Sequence, residues 1–168
     1  MSYQLVLAQK SDAIAVLEYL KQVGSETDFL LFVEIGVPMT VEQEEAFLNQ
    51  VNSTPYSRMY LVKESGEIVG NGYIHSSPRS RIKHKSEIAI SVKKSHWGKG
   101  VSSLLMNALI DYAKSTHFTE TIFLEVASEN QRAIKLYEKF GFVSYGITKN
   151  AIKLDNRYLD WIQMRLDL

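Results

Sequence analysis

The period of the apolar positions changes along the chain, and each change marks an element. Tyr3–Ala8 alternates and reads as a first strand. Ala13, Val16, Leu17 and Leu20 then fall on one helical face, with Ser11 as the predicted N-cap and an end near Gly24. Gly24–Met39 is irregular but apolar, with Phe29, Leu30, Leu31, Phe32 and Val33 in a row. Thr40 and Gln43 have capping-box spacing and open a second helix through Phe47 and Leu48. After Pro55, Arg58–Glu64 and Ile68–Ser76 read as strands on either side of a Glu64-Ser65-Gly66-Glu67 turn. Lys85–Val92 is the next strand. A helical stripe follows at Val101, Leu104, Leu105, Ala108, Leu109 and Tyr112. Thr121–Ala127 is a strand, Asn130–Phe140 a helix closing at Gly141, and Phe142–Tyr145 the start of a strand. Lys149–Leu154 and Arg157–Leu166 pair about Asp155–Asn156. The order is β-α-α-β-β-β-α-β-α-β-β. Strand, helix, strand over residues 87–127 requires a parallel crossover, whereas the hairpins are antiparallel. The expectation is a single-domain α/β fold, with a mixed central sheet of about seven strands and helices on both faces.

Composition narrows the classes. The 168 residues suit one domain with a sizeable core. Lys+Arg and Asp+Glu balance at 19 each, which argues against nucleic acid or an anionic membrane as a partner. There is no cysteine, hence no disulfide, thiolate metal site or cysteine nucleophile. The four histidines have no metal-ligand spacing, so no metal is expected. Met1–Lys10 lacks the apolar run of a secretion signal, so the expected location is cytoplasmic.

Chemistry concentrates at His96–Leu105, HWGKGVSSLL, where a strand feeds a glycine turn that opens a helix. The first helical N–H groups lack intrahelical partners and the dipole there favours anions, so a phosphate-bearing ligand is expected. Gly98 and Gly100 let the backbone approach it, Lys99 adds a cation, and Ser102 and Ser103 keep the first turn small. The turn matches neither the P-loop nor the dinucleotide fingerprint, and taken alone it also fits a bare helix start. In the later helix, Asn130 and Tyr137 are seven apart and share a face to within ~20°. Tyr137 also falls on the apolar stripe Ala133, Leu136, Phe140, which by periodicity alone is a core position, and Asn130 also fits a helix cap.

The stretches EIAISVKKSHWGKGVSSLLMNAL and LEVASENQRAIKLYEKFGF together resemble the GNAT N-acetyltransferases, and the strand order of nearly the whole chain is similar to theirs. The ending GITKNAIKLDNRYLDWIQMRL is similar to the spermidine and ribosomal-protein alanine acetyltransferases, in its turn and in Tyr158 and Asp160. The resemblance implies acetyl-CoA as co-substrate. The family's phosphate loop, Q/R-x-x-G-x-G/A, falls on Trp97-Gly98-Lys99-Gly100-Val101-Ser102, with Trp97 in place of Gln/Arg and Ser102 in place of the last Gly/Ala. Ile90, Ser91 and Val92 correspond to the segment whose backbone pairs with pantetheine and the acetyl carbonyl. Asn130 matches a coenzyme A contact, and Tyr137 the tyrosine that protonates the departing thiolate.

The implied reaction carries acetyl from a thioester to an amine and needs a base, an acid and an oxyanion donor. The Val92 N–H is the candidate donor and Tyr137 the acid. Glu87 and Glu125 are alternative bases, and neither is excluded from merely orienting the amine. Residues 22–57 hold no Lys or Arg but six acids, Glu26, Asp28, Glu34, Glu42, Glu44 and Glu45. In the family this segment is a lid over the acceptor, so acids there suggest a cationic acceptor. Glu42, Glu44 and Glu45 fit a solvent-facing helix start better. Asp28 and Glu34, set among aromatics that include Phe32, are the better substrate candidates. The basic run Arg79, Arg81, Lys83, Lys85 reads as a solvated loop, because the strand carries it ~25 Å from the glycine turn. Lys93, Lys94 and Lys99 lie at the phosphate end. The expected acceptor is a small cationic amine or a protein N-terminus, no nucleic-acid or membrane partner is expected, and a homodimer is left open. The rival reading is a non-catalytic acyl-CoA sensor, which needs neither Tyr137 nor a base.

Overall fold

The computed structural model describes residues 2–31 and 36–168 and contains a seven-stranded sheet. Its strands are β1 (Gln4–Leu7), β2 (Ser57–Glu64), β3 (Glu67–Ser76), β4 (Lys85–Val92), β5 (Thr121–Ala127), β6 (Val143–Lys153) and β7 (Tyr158–Asp167). They lie side by side in the order β1-β2-β3-β4-β5-β7-β6. The helices are α1 (Ala13–Ser25), α2 (Val41–Val51), α3 (Val101–Ser115) and α4 (Gln131–Lys139). The element order and the mixed sheet are those the apolar pattern predicts. Among the described residues, no helix is long and apolar enough to cross a membrane.

Local chemistry sets the ends. Thr40 caps α2 reciprocally with Gln43: the Gln43 N–H donates to Thr40 Oγ1 at 3.3 Å and the Thr40 N–H to Gln43 Oε1 at 2.9 Å. Ser65 and Gly66, both at positive φ (51° and 86°), make the tight turn between β2 and β3. Ser11 is not the cap of α1. It lies inside a 3-10 turn over Lys10–Asp12, where the Asp12 carboxylate takes the Gln9 N–H at 2.8 Å and the Lys63 ammonium at 2.8 Å. A charged acceptor so placed displaces the hydroxyl from the capping role.

Strand alternation gives the sheet two apolar faces. Met59 and Leu61 of β2 meet Val16, Tyr19 and Val23 of α1 and Leu48 and Val51 of α2. On the other face, Ile74, Ile88, Ile122, Leu124, Val126 and Met164 pack on Met106 and Leu109 of α3 and Ile134 and Tyr137 of α4. The helices therefore cover both faces. α3 sits close over β3 because Gly70 has no side chain there. A Cβ at Gly70 would lie 2.6 Å from Val101 Cγ1 and 3.2 Å from Leu105 Cδ1.

The site depends on how β4 meets β5. This is the sheet's one parallel pair in the described residues, and it holds for only three residue pairs, Lys85 with Thr121, Ser86 with Ile122 and Glu87 with Phe123. Beyond them the strands part. The Lys93 N–H donates to the Val69 carbonyl at 3.0 Å, which fixes the phase of the antiparallel β3–β4 ladder. In that phase Ser91 exchanges hydrogen bonds with Asn71, while the peptide groups of Ile90 and Val92 point away from β3 into the gap. The Leu168 N–H to Glu120 carbonyl bond, 2.9 Å, phases β5 on β7 in the same way and turns the Glu125 peptide groups toward the gap.

Gly70→Ala should lower stability by about 1–3 kcal/mol, the usual cost of overpacking a core, read as a fall in Tm. Adding Val101→Ala should restore part of that loss by removing the methyl in the way. A Gly70→Ala protein as stable as wild type would show that α3 does not press on β3 at this point.

Candidate active site

The gap between β4 and β5 opens into a cleft of ≈1170 Å³, larger than ordinary small-molecule pockets. Ile90, Ser91, Val92, Trp97, Gly98, Gly100, Ser102, Ser103, Asn130, Tyr137, Glu87 and Glu125 all line it. Three sequence candidates do not. Val101, the first residue of α3, is fully buried against Val62 and Val69, Lys99 is exposed beside the turn, and Asp28 is exposed with its charge acting on Arg157. Phe32 and Glu34 lie outside the described residues.

At one end of the cleft the glycine turn presents donors. Gly98 and Gly100 hold φ of 74° and 88°, which an L side chain resists. The first bond of α3 runs from the Leu104 N–H to the Gly100 carbonyl at 3.0 Å, so the N–H groups of Val101, Ser102 and Ser103 have no intrahelical partner. With the helix dipole behind them, these N–H groups are suited to an anion. Three ties hold the turn. His96 Nε2 is 2.9 Å from Glu64 Oε2 at the end of β2. The Lys94 N–H donates to Glu26 Oε2 at 2.7 Å. The Trp97 indole N–H donates to the Val92 carbonyl at 2.9 Å.

Trp97, the departure from the family's loop, thus closes one carbonyl of the gap. Its ring also carries Arg132, whose guanidinium carbon is 3.3 Å from the ring centroid. Partial burial lowers the pKa of Arg132 from its ordinary value. Arg132, Lys135 and Lys139 of α4 all line the cleft. Sequence reasoning missed this basic edge, although i, i+3, i+7 spacing is a visible signal.

Asn130 is both a cap and a cleft residue. Its Oδ1 accepts the Ala133 N–H at 3.2 Å, which leaves its amide N–H groups with no partner among the described residues. Tyr137 packs on Phe142 with ring centroids 5.9 Å apart, so its ring is core as periodicity implied, yet the residue also borders the cleft. Burial pushes its phenol up to about 12. Ser91 reaches the opposite face of the sheet, where Tyr19 of α1 lies 3.0 Å from its Oγ. Burial raises the pKa of that tyrosine also.

The remaining side chains sit on that opposite face. Glu87, Phe123 and Glu125 project there by strand alternation, away from the α3 and α4 core. Glu87 Oε2 is 3.8 Å from His75 Nε2, and Glu125 Oε1 accepts from Gln163 Nε2 at 3.3 Å. Lys85 also lines the cleft, with its ammonium 5.8 Å from the Phe123 ring centroid, so it is no part of the solvated 79–83 loop.

The acids of residues 22–57 are mostly occupied elsewhere. Glu26 is held by Lys94 and Gln22, and Glu45 pairs with Lys10 at 3.4 Å. Glu42 is exposed in the first turn of α2, where the backbone N–H and Thr40 hold its pKa down. Glu44 overturns the solvent-facing expectation: it is only 2% exposed, and desolvation raises its pKa. Its neighbours along the same face, Leu48 and Val51, explain this, since α2 turns that face into the core.

A family model described as the acetyltransferase (GNAT) family matches residues 18–142. A spermidine N(1)-acetyltransferase of Vibrio cholerae is 34% identical over 94 residues, 56% of this chain and 50% of that protein. The chain thus spans about half the length of that relative. An uncharacterized N-acetyltransferase of Bacillus licheniformis is 29% identical over 148 residues, 85% of this chain and 82% of its own. A crystal structure of an acetyltransferase of the GNAT family from Streptococcus pneumoniae superposes with a TM-score of 0.96 at 28% identity, covering 99% of this chain and 100% of that one.

If the glycine turn is the anion site, Gly100→Asp should weaken coenzyme A binding by about a hundredfold, since it sets a carboxylate where a diphosphate would lie. Gly100→Ala should lose less, because it adds backbone strain but no charge. Calorimetric titration reads both, and unchanged affinity in Gly100→Asp would move the anion site off this turn.

Proposed function

The chain belongs to the GNAT acetyltransferase family, and on that premise we propose that it moves acetyl from acetyl-CoA directly to a primary amine, with both substrates bound together. The observation that carries this reading is the parted edge of β4. Ile90 and Val92 turn their peptide groups into the gap, and the glycine turn lies where β4 leads. An extended chain bearing amides can pair with such an edge as an added strand does. The pantetheine arm has that chemistry. Its diphosphate then falls at the Gly98–Ser103 donors, and Arg132, Lys135 and Lys139 face the nucleotide phosphates.

In the transfer, the neutral amine attacks the thioester carbonyl. A nitrogen–carbon bond forms and the carbon–sulfur bond breaks; the nitrogen loses a proton and the sulfur gains one. The Val92 N–H receives the carbonyl oxygen as it becomes negative. Tyr137 serves the sulfur. With its pKa at about 12 it is protonated at neutral pH. An ordinary thiol titrates near ~8.5, so a free thiolate does not strip this phenol. Tyr137 therefore stabilises the leaving sulfur by donating a hydrogen bond, and its proton passes over only as the amine's proton is released. Glu87 and Glu125 are the carboxylates beside the acceptor, and one of them takes that proton. No cysteine exists to form an acyl intermediate. Ser95 and His96, 2.8 Å apart, stand outside the cleft lining. A sensor would hold the coenzyme without needing Tyr137 or the two carboxylates.

Amine-dependent release of free thiol from acetyl-CoA tests the reading. Release with no amine in a broad panel, while the coenzyme still binds, would favour the sensor. Tyr137→Phe should lower kcat by about 10²-fold or more with little change in coenzyme affinity. In wild type, kcat should not fall through the ordinary tyrosine range near pH ~10, because the raised pKa keeps the phenol protonated there.

Glu87→Gln and Glu125→Gln divide the two bases. The variant that loses about 10²–10⁴ in kcat, with the loss shrinking as pH rises and the amine deprotonates itself, marks the base. If both keep kcat within about threefold, water alone takes the proton.

A further inference from the structure

We infer that the acceptor is a monocationic primary amine bearing an apolar, ring-sized group, and that Tyr145 selects it. This rests on the acetyl-transfer reading above.

The acceptor face can be laid out by register. Across one row lie His75 of β3, Glu87 of β4, Phe123 of β5 and Arg165 of β7. The next row, toward the gap, holds Glu125 and its partner Gln163. The β6–β7 register slips between Ser144 and Gly146, so Tyr145 is an extra residue with no partner of its own. Gly146 follows the slip and sits against the Gln163 side chain, where a Cβ would lie 2.5 Å from Gln163 Oε1. The bulge sets Tyr145 edge-on to Phe123, with centroids 5.7 Å apart and planes at 82°. Both rings line the cleft, as do Phe29 and Trp161, and Tyr145 remains 52% exposed. Aromatic surface left open beside two carboxylates suits a ligand with one charged end and one apolar end.

The charges on this face distinguish a monocation from a polycation. Among the described residues that line the cleft on this face, Glu87 and Glu125 are opposed by Lys85, over the Phe123 ring. Two carboxylates against one fixed cation leave a surplus of one, with His75 Nε2 3.8 Å from Glu87. That surplus matches one ammonium. The burial of Tyr145, together with the Glu125 and Glu87 charges, raises its phenol pKa, which places the ring within their field. A triamine would set its further ammonium groups against Lys85 and Arg165. The acids of the 22–57 segment give no help within the described residues, since only Glu26 reaches the cleft and it is bonded to Lys94.

The test compares phenethylamine, ethylamine and spermidine by thiol release from acetyl-CoA. Phenethylamine should exceed ethylamine in kcat/KM by about tenfold or more, the worth of burying a ring, and spermidine should not exceed phenethylamine. Tyr145→Ala should collapse the phenethylamine-to-ethylamine ratio, and Tyr145→Phe should keep it. Thermal melting checks that both variants are folded. Spermidine as the best amine, or a ratio that Tyr145→Ala leaves intact, overturns the proposal while the acetyl-transfer reading stands. Silence with all three amines, while another amine of the broad panel releases thiol, overturns this proposal alone, and silence across the broad panel overturns both.

Discussion

Where β4 and β5 part, the sheet gives up hydrogen bonds that a folded chain seldom leaves unmade. Buried peptide groups are nearly always paired, and the two strands keep only three paired positions before they separate. The groups to which the proposed transfer assigns a role border the opening. The Ile90 and Val92 peptide groups face it from one strand and those of Glu125 from the other. Tyr137 and Asn130 stand on the helix that follows β5, and the glycine turn lies just beyond β4. A closed sheet would satisfy its own backbone and bind nothing there. The open one has a cost that a ligand offering amides and carbonyls in extended form can offset.

An opening of that kind is useful only if its edges hold still. The ties around the glycine turn come from distant parts of the chain: Glu64 from the β2 end, Glu26 from the C-terminal end of α1, and Arg132 from α4 resting on Trp97. The His96–Glu64 pair is only partly exposed, and Glu64 Oε1 is buried without a partner, so the tie carries one unsatisfied acceptor. That unsatisfied acceptor is a cost which the short His96–Glu64 contact, 2.9 Å, has to offset. Trp97 bridges two functions, since its indole nitrogen satisfies the Val92 carbonyl while its face supports a cation at the phosphate end. A glutamine or arginine at that position would not offer the ring.

What was legible in the sequence follows from the range of each interaction. The element order, the Thr40 cap and the β2–β3 turn depend on residues a few positions apart, and they read directly. Asn130 read both as a cap and as a site residue, and it occupies both places. Glu44 did not read correctly, because the face α2 buries is set by packing on α1 and the β2 core rather than by its own composition. Ser11 does not cap α1: the N-cap position falls on Asp12, whose carboxylate is taken by the Gln9 N–H and by Lys63, and the lysine comes from another strand. The parting of β4 from β5 leaves no local mark at all. It is a relation between two strands 30 or more residues apart, and either strand alone looks ordinary. Arg132 was within reach, since its spacing with Lys135 and Lys139 is visible, but its ring partner is 35 positions away.

The two faces of the sheet divide the chemistry. One face, packed by α3 and α4, holds Tyr137 in an apolar setting that keeps a phenol protonated. The other carries the carboxylates, the cations that oppose them and the rings that stay open to the cleft. In the proposed transfer, a thioester threaded through the gap would meet Tyr137 from behind and the amine from in front. The sheet then keeps the Tyr137 hydroxyl from donating its hydrogen bond to Glu87 or Glu125 instead of to the sulfur. The one-residue bulge at Tyr145 acts on the acceptor face alone. On the reading proposed above, a change there would alter which amine fits without touching the coenzyme's side.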